Sequence, residues 1–137
     1  IVVPPGYDGT HIGRHILLGW SDTREAARAA HDLVSIAPPD TEVTVLRVDQ
    51  SPQNPLVDHE GIDISEMLSR HGLRVSLDRR DAPARDIADV LGKVAFEQGA
   101  DLIVTGAFGH SRAYDFVIGA TTYGLLRHAK LPVMFSK

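Results

Sequence analysis

Five apolar runs of strand length alternate along this chain with longer stretches whose apolar residues recur at helical spacing. The runs are "HILLGW" (15–20), "EVTVLRV" (42–48), "LRVSL" (73–77), "DLIVT" (101–105) and "PVMFS" (132–136). They are apolar in blocks rather than at every second residue, the pattern of strands covered on both faces. Strands that alternate with helices are joined by right-handed crossovers. The pattern therefore predicts an open α/β sheet of five parallel strands with helices on both faces.

The helical stretches carry their own signals. In the first, Ala26, Ala30, Leu33, Val34 and Ala37 share a face, and Asp22 is the expected N-cap with Glu25 as its partner. A cluster of Ser, Pro, Gln and Asn at 51–55 breaks the chain before a weaker helical pattern at 57–70. The clearest helix has Ile87, Val90, Leu91, Val94 and Ala95 on one side, after start signals at Asp81 and Pro83. In the last, Ile118, Thr122, Leu125, Leu126 and Ala129 fall together. "LDRRDAPARD" (77–86) mixes charge signs and reads as a solvated rim or an ion-paired contact with a partner domain.

A chain of 137 residues supports one domain with a single core. Its formal net charge of −4 and lack of a basic stripe argue against nucleic acid as a partner. The absence of cysteine excludes disulfides and thiolate metal sites and fits a reducing cytoplasm. No apolar run reaches the roughly 20 residues of a membrane span, so no membrane partner is expected. His11 and His15 lie at the start of a strand, where a shared metal is not expected, and no H-E-x-x-H arrangement occurs. The opening "IVVPPGYDG" resembles neither a signal nor a transit peptide and reads as the start of a fragment or processed product.

Open parallel sheets bind ligands beyond the carboxyl ends of their strands, where the strand order reverses. Two loops qualify: "WSDT" after the first strand and "GAFGHSRAYDFVIGATT" (106–122) after the fourth. Three glycines ahead of a helix place backbone N–H groups and a helix dipole where an anion can be held. Neither G-x-G-x-x-G nor the P-loop pattern is present. "GHSRA" (109–113) is a near miss to the nucleophile elbow. A hydrolase also needs an acid and a histidine from later strand ends, whereas one strand remains and His128 falls on a helix, so Ser111 reads as a loop or capping serine. Plain turn geometry stays open as the alternative for the glycines, and Trp20 reads either as a base-stacking surface or as packing.

The spacing of Gly106, Gly109 and Gly119, followed by small and hydroxyl residues and "LLRHAKLPVMF", resembles the G-x(2)-G-x(9)-G-[ST] loop and ending of the universal stress protein family. "HILLGWSDTREAARAAHDL" is similar to that family's opening and "ADLIVTGAFGHS" to its fourth-strand exit, so the likeness runs from about residue 15 onwards. The resemblance implies strand order 3-2-1-4-5, dimer contacts through the last strand and, in one branch, bound ATP or AMP with or without Mg²⁺. Carried over by position, the implied contacts are Trp20 and Ser21 after the first strand, the main chain of Val48, the loop residues Gly106, Gly109 and His110, and Gly119, Ala120, Thr121 and Thr122. Ser21 stands where the family has Asp, and Ala120 where it has Ser or Thr. A hydrogen bond to a charged acceptor is worth about 1.5–3 kcal/mol, so loss of the residue-120 hydroxyl weakens phosphate binding about ten- to a hundredfold.

"IVVPP" resembles the tail of a preceding repeat, which divides the chain into a linker or tail at 1–14 and a domain at 15–137. In the implied strand order the last strand is a sheet edge, and edges are usually covered or paired. Antiparallel pairing through Val133 and Phe135 with a second copy or a preceding repeat is therefore expected. The expected function is an adenine-nucleotide-binding stress or regulatory module of the cytoplasm rather than a robust catalyst. The alternative is a nucleotide-free dimerisation or scaffold domain.

Overall fold

A computed structural model describes residues 1–49, 60–82, 85–107 and 119–137. The elements are β1 (His15–Trp20), α1 (Arg24–Ile36), β2 (Glu42–Asp49), α2 (Glu60–Arg70), β3 (Arg74–Asp81), α3 (Ile87–Glu97), β4 (Leu102–Gly106), α4 (Ala120–His128) and β5 (Val133–Ser136). The five strands form one sheet in the order β3-β2-β1-β4-β5, and every neighbouring pair is parallel. The expected α/β class and strand order both hold.

Alternate residues of each strand feed opposite faces, which is why the runs must be apolar throughout. Ile16 and Leu18 of β1 join Val43, Val45, Leu102 and Val104 against Ala29, Ala30 and Leu33 of α1 and Ile64 and Leu68 of α2. Leu17, Leu46 and Ile103 face the other way, onto Leu91, Val94 and Ala95 of α3 and Leu125 of α4. Helices α1 and α2 thus cover one face, and α3 and α4 the other.

Several local expectations are corrected. The third strand continues to Asp81 instead of ending at Leu77, paired with β2 as far as Asp49↔Asp81. Apolar content cannot mark that end, because β3 is an edge and its outer residues need no core. The charged stretch from 77 onwards is therefore half strand, with Arg79 paired to Asp49 at 2.6 Å and Arg80 to Asp78 at 2.9 Å. Helix α1 is capped by Thr23, not Asp22: extended at φ −135°, ψ 153°, it accepts from the Ala26 amide. Asp86, not Asp81 or Pro83, caps α3 by accepting from the Ala88 amide, and Pro83 lies outside the described residues. In α4 the buried side is Thr122, Gly124 and Leu125, while Leu126 is 47% exposed and Ile118 lies outside the described residues.

At the amino-terminal edge of the sheet, Asp101 holds the start of β1. Its carboxylate accepts from the amides of Gly13 at 2.9 Å, Arg14 at 3.1 and 3.2 Å and His15 at 3.2 Å. Gly13 makes this nest possible by adopting φ +87°. On the outer side of β5, Val2 of the same chain forms an antiparallel bridge with Val133, through main-chain bonds of 2.8 and 2.9 Å. Among the described residues no helix is long and apolar enough to cross a membrane.

Candidate functional site

The chain steps one way across the sheet from β1 to β3, then returns to the far side of β1 and steps the other way from β4 to β5. Connections leaving the carboxyl ends of β1 and β4 therefore diverge onto opposite faces and leave a crevice between them. A cleft of about 330 Å³ lies there, reaching from Leu46 and Val48 on β2, past Gly19 and Trp20 on β1, to Thr105 and Gly106 on β4. Ser21, Thr23 and Glu25 form one wall, Gly119 to Thr122 another, and Ile87 and Leu91 of α3 close the apolar end. Of the sequence-derived residues, Trp20, Ser21, Val48, Gly106, Gly119, Ala120, Thr121 and Thr122 all line this one cleft. Gly109, His110 and Ser111 lie outside the described residues.

Two helices point their amino termini at the cleft, and they differ. At α1 the Thr23 side chain occupies the Ala26 amide at 3.2 Å, and Glu25 supplies an acid in the first turn. At α4 the N-cap is Gly119, with no side-chain cap and no acid in the first turn. The first helical bond there is from the Tyr123 amide to the Gly119 carbonyl, 2.9 Å. The amides of Ala120, Thr121 and Thr122 thus remain without a partner among the described residues, beside the hydroxyls of Thr121 and Thr122. Such an end carries about half a positive charge and suits an anion.

The glycines divide by cause. A Cβ at Gly106 would fall 2.6 Å from the Glu25 carbonyl carbon and 2.7 Å from the Ala26 amide nitrogen. Gly106 is bare because the end of β4 lies against the first turn of α1. At Gly119 a Cβ would meet nothing within 4 Å, and φ of −56° suits any residue. Among the described residues neither packing nor backbone geometry accounts for a glycine there, which leaves room for a ligand to come close to the main chain.

Trp20 packs against the α1–α2 core while lining the cleft, and its indole nitrogen is buried without a partner among the described residues. Beside Val48, the side chain of Asp49 is buried and takes hydrogen bonds from Arg47 at 3.1 Å and Arg79 at 2.6 Å. Burial pushes the Asp49 carboxyl up, but the two arginines outweigh it and hold it below the usual carboxylate range. This pairing ties the end of β2, where Val48 faces the cleft, to edge strand β3.

Sequence reasoning placed Thr23 at the crevice only as part of "WSDT" and did not assign Glu25, Thr105, Leu46, Ile87 or Leu91 to the site. Thr23 and Glu25 had a signal, since they follow Ser21 directly in "WSDTRE"; the α3 residues had none, because their contribution depends on how that helix crosses the sheet. Two larger but more open hollows lie elsewhere, one of about 590 Å³ between α2 and β3 and one of about 820 Å³, of mixed charge, along β3 and α3. No group of His, Cys, Asp and Glu side chains suited to a metal ion occurs among the described residues.

Comparison with known proteins gives a consistent result. The family model described as "Universal stress protein family" matches residues 13–137. No curated protein matches the chain by sequence. Among solved structures, the hypothetical protein MJ0577 superposes with a TM-score of 0.81 at 18% identity, over 93% of this chain and 97% of that one. The universal stress protein from Archaeoglobus fulgidus in complex with dAMP gives 0.63 at 16% identity, over 93% and 100%. A universal stress protein in complex with cAMP gives 0.63 at 16% identity, over 91% and 97%.

Proposed function

Because the chain belongs to the universal stress protein family, we propose that it is an adenine-nucleotide-binding regulatory module of stress physiology, acting in the cytoplasm, with its ligand in the cleft at the β1–β4 crevice. The observation that carries this reading is the α4 amino terminus, where three amides have no partner among the described residues and Thr121 and Thr122 line a cleft with an apolar end. A phosphate takes the amides, and the base takes the end formed by Leu46, Val48, Ile87 and Leu91, where the Val48 main chain reads its edge. The relatives that carry dAMP and cAMP support an adenine nucleotide as the ligand. ATP, with Mg²⁺, and AMP are the two forms to compare.

The test is thermal melting with and without each nucleotide, on natural protein and on Gly119→Ser. Binding at a hundred times Kd stabilises by about 2.7 kcal/mol, a shift of several degrees. The serine hydroxyl caps α4 in place of phosphate, so Gly119→Ser should melt at or slightly above the natural apo temperature yet lose most of the nucleotide shift. Absence of a shift with any adenine nucleotide would instead support a nucleotide-free dimerisation or scaffold domain.

The β5 edge is proposed as the assembly surface, pairing antiparallel through Val133 and Phe135 with a second copy or a preceding repeat. The Val2–Val133 bridge supports the capacity of this edge for an antiparallel neighbour, and a partner strand would displace residue 2. Phe135→Pro, which removes an amide on the same open side of β5 as that of Val133, should turn a dimer into monomer by light scattering. A natural domain that is monomeric at tens of micromolar would rule this pairing out for the isolated domain.

A further inference from the structure

Ile1, Val2 and Val3 are three β-branched residues in succession, and they are 65%, 45% and 50% exposed. Val2 is nevertheless held: its amide donates to the Val133 carbonyl at 2.8 Å, and its carbonyl accepts from the Val133 amide at 2.9 Å. The contact is an isolated antiparallel bridge. Two residues on, where the register calls for the next amide, Pro4 has none to offer. One pair of main-chain bonds therefore fastens this segment to β5. Its root is better held. The Tyr7 amide donates to the Pro4 carbonyl at 3.3 Å, the Tyr7 hydroxyl to the His11 carbonyl at 3.0 Å, and Asp101 grips the amides of Gly13 and His15. These contacts keep the segment at the amino-terminal edge of the sheet, where the parallel strand β5 also begins.

We propose that residues 1–3 form a displaceable strap that gates pairing of the β5 edge with a second copy of this chain. The proposal rests on the reading of that edge as the assembly surface and adds its regulation. A partner strand pairing through Val133 needs the Val133 amide and carbonyl, the same two groups that Val2 occupies. One N–H makes one well-aligned bond, so strap and partner strand exclude each other. The strap has the advantage of its tether, which keeps it beside β5 at an effective concentration of about millimolar, whereas a partner arrives at micromolar. Its disadvantage is length, since a single bridge is set against a strand-to-strand ladder. A closed strap therefore weakens the dimer without abolishing it. Both copies must open, so the open fraction enters twice: about one third open in each copy weakens dimerisation about ninefold.

The experiment is sedimentation over a concentration series, with the strap released in one variant and locked in another. Val2→Pro deletes the donor to Val133 while leaving both core clusters untouched, and should tighten the dimer about tenfold. Val2→Cys with Val133→Cys places the two cysteines of an otherwise cysteine-free chain about 5.5 Å apart at Cα, within reach of a disulfide. The oxidised protein should be monomeric where natural protein is dimeric, and reduction should restore the dimer. Adding Phe135→Pro to Val2→Pro should abolish the tightened dimer. Equal dimerisation of natural protein and Val2→Pro overturns the strap and leaves the β5 pairing standing. An oxidised pair that still dimerises, or that crosslinks between copies, also overturns it, as does a tightened dimer that survives Phe135→Pro. Monomers throughout, in every variant, overturn the pairing itself. Should the cysteine pair fail to fold, natural protein against Val2→Pro still decides.

Discussion

Replacing Gly106 by Ala separates two explanations of the same glycine. If bare backbone at 106 served only a phosphate, the added methyl would leave the ligand-free protein intact. It would even stabilise it by about 0.4–1 kcal/mol through a stiffer unfolded chain. The structure predicts the opposite. The new Cβ would stand 2.6 Å from the carbonyl carbon of Glu25 and 2.7 Å from the amide nitrogen of Ala26, and both atoms belong to the backbone of α1 rather than to a side chain that can rotate away. Either β4 or the amino end of α1 must move by several tenths of an ångström, against a core that includes Ala29, Ala30 and Leu33. Overpacking of this kind costs about 1–3 kcal/mol. At about 4 °C per kcal/mol for a domain of this size, the ligand-free melting temperature should fall by roughly 4–12 °C. Gly92→Ala is the control, because its Cβ in the interior of α3 meets nothing within 4 Å and should raise stability by about 0.5–1 kcal/mol. Calorimetry of both variants without nucleotide decides. A Gly106→Ala protein as stable as the natural one would refute the packing account of this residue.

Two further outcomes follow from charged groups outside the cleft. Asp101→Ala removes the acceptor for the amides of Gly13, Arg14 and His15, and should lower stability by about 2–3 kcal/mol in urea unfolding, with Asp101→Asn losing less because one oxygen remains. Asp49 has its folded pKa held down, so its contribution is complete above the unfolded carboxylate pKa of about 3.9 and is lost as pH falls through the lower folded value. Asp49→Asn should therefore be less stable than natural protein at pH 7, and the gap should close progressively below about pH 4; a gap independent of pH would show that the Arg47–Asp49–Arg79 contact does not depend on charge.

The fold was legible because each strand buried on two faces must be apolar along its whole length, and β1, β2, β4 and β5 announce themselves that way. It became illegible where that demand lapses. The second half of β3, "DRRD", is held by backbone pairing to β2 and by ion pairs such as Arg79–Asp49, neither of which leaves an apolar trace. The caps were misplaced for a related reason: Asp22 and Thr23 are equally competent chemically, and only the extended backbone at Thr23, immediately ahead of Arg24, selects one. Within the site, glycine spacing pointed to Gly106, Gly119, Ala120, Thr121 and Thr122, which line the cleft, and to Gly109, which lies outside the described residues. The function of a single glycine was not legible, since Gly106 and Gly119 look alike in sequence yet one is demanded by the neighbouring helix and the other is not. Glu25 escaped notice because as an acid in the first turn of a helix it already had a sufficient local explanation.

Trp20 is the only tryptophan in the chain, and it lines the cleft. Its fluorescence therefore reports on the place where the nucleotide is proposed to sit, with no label and no substitution. Titrating AMP into nucleotide-free protein, corrected for absorption by the base, should produce a saturable change in Trp20 emission with one ligand per chain, and Gly119→Ser should weaken it. A flat Trp20 signal across AMP concentrations that calorimetry shows to be saturating would place the ligand elsewhere and contradict the account.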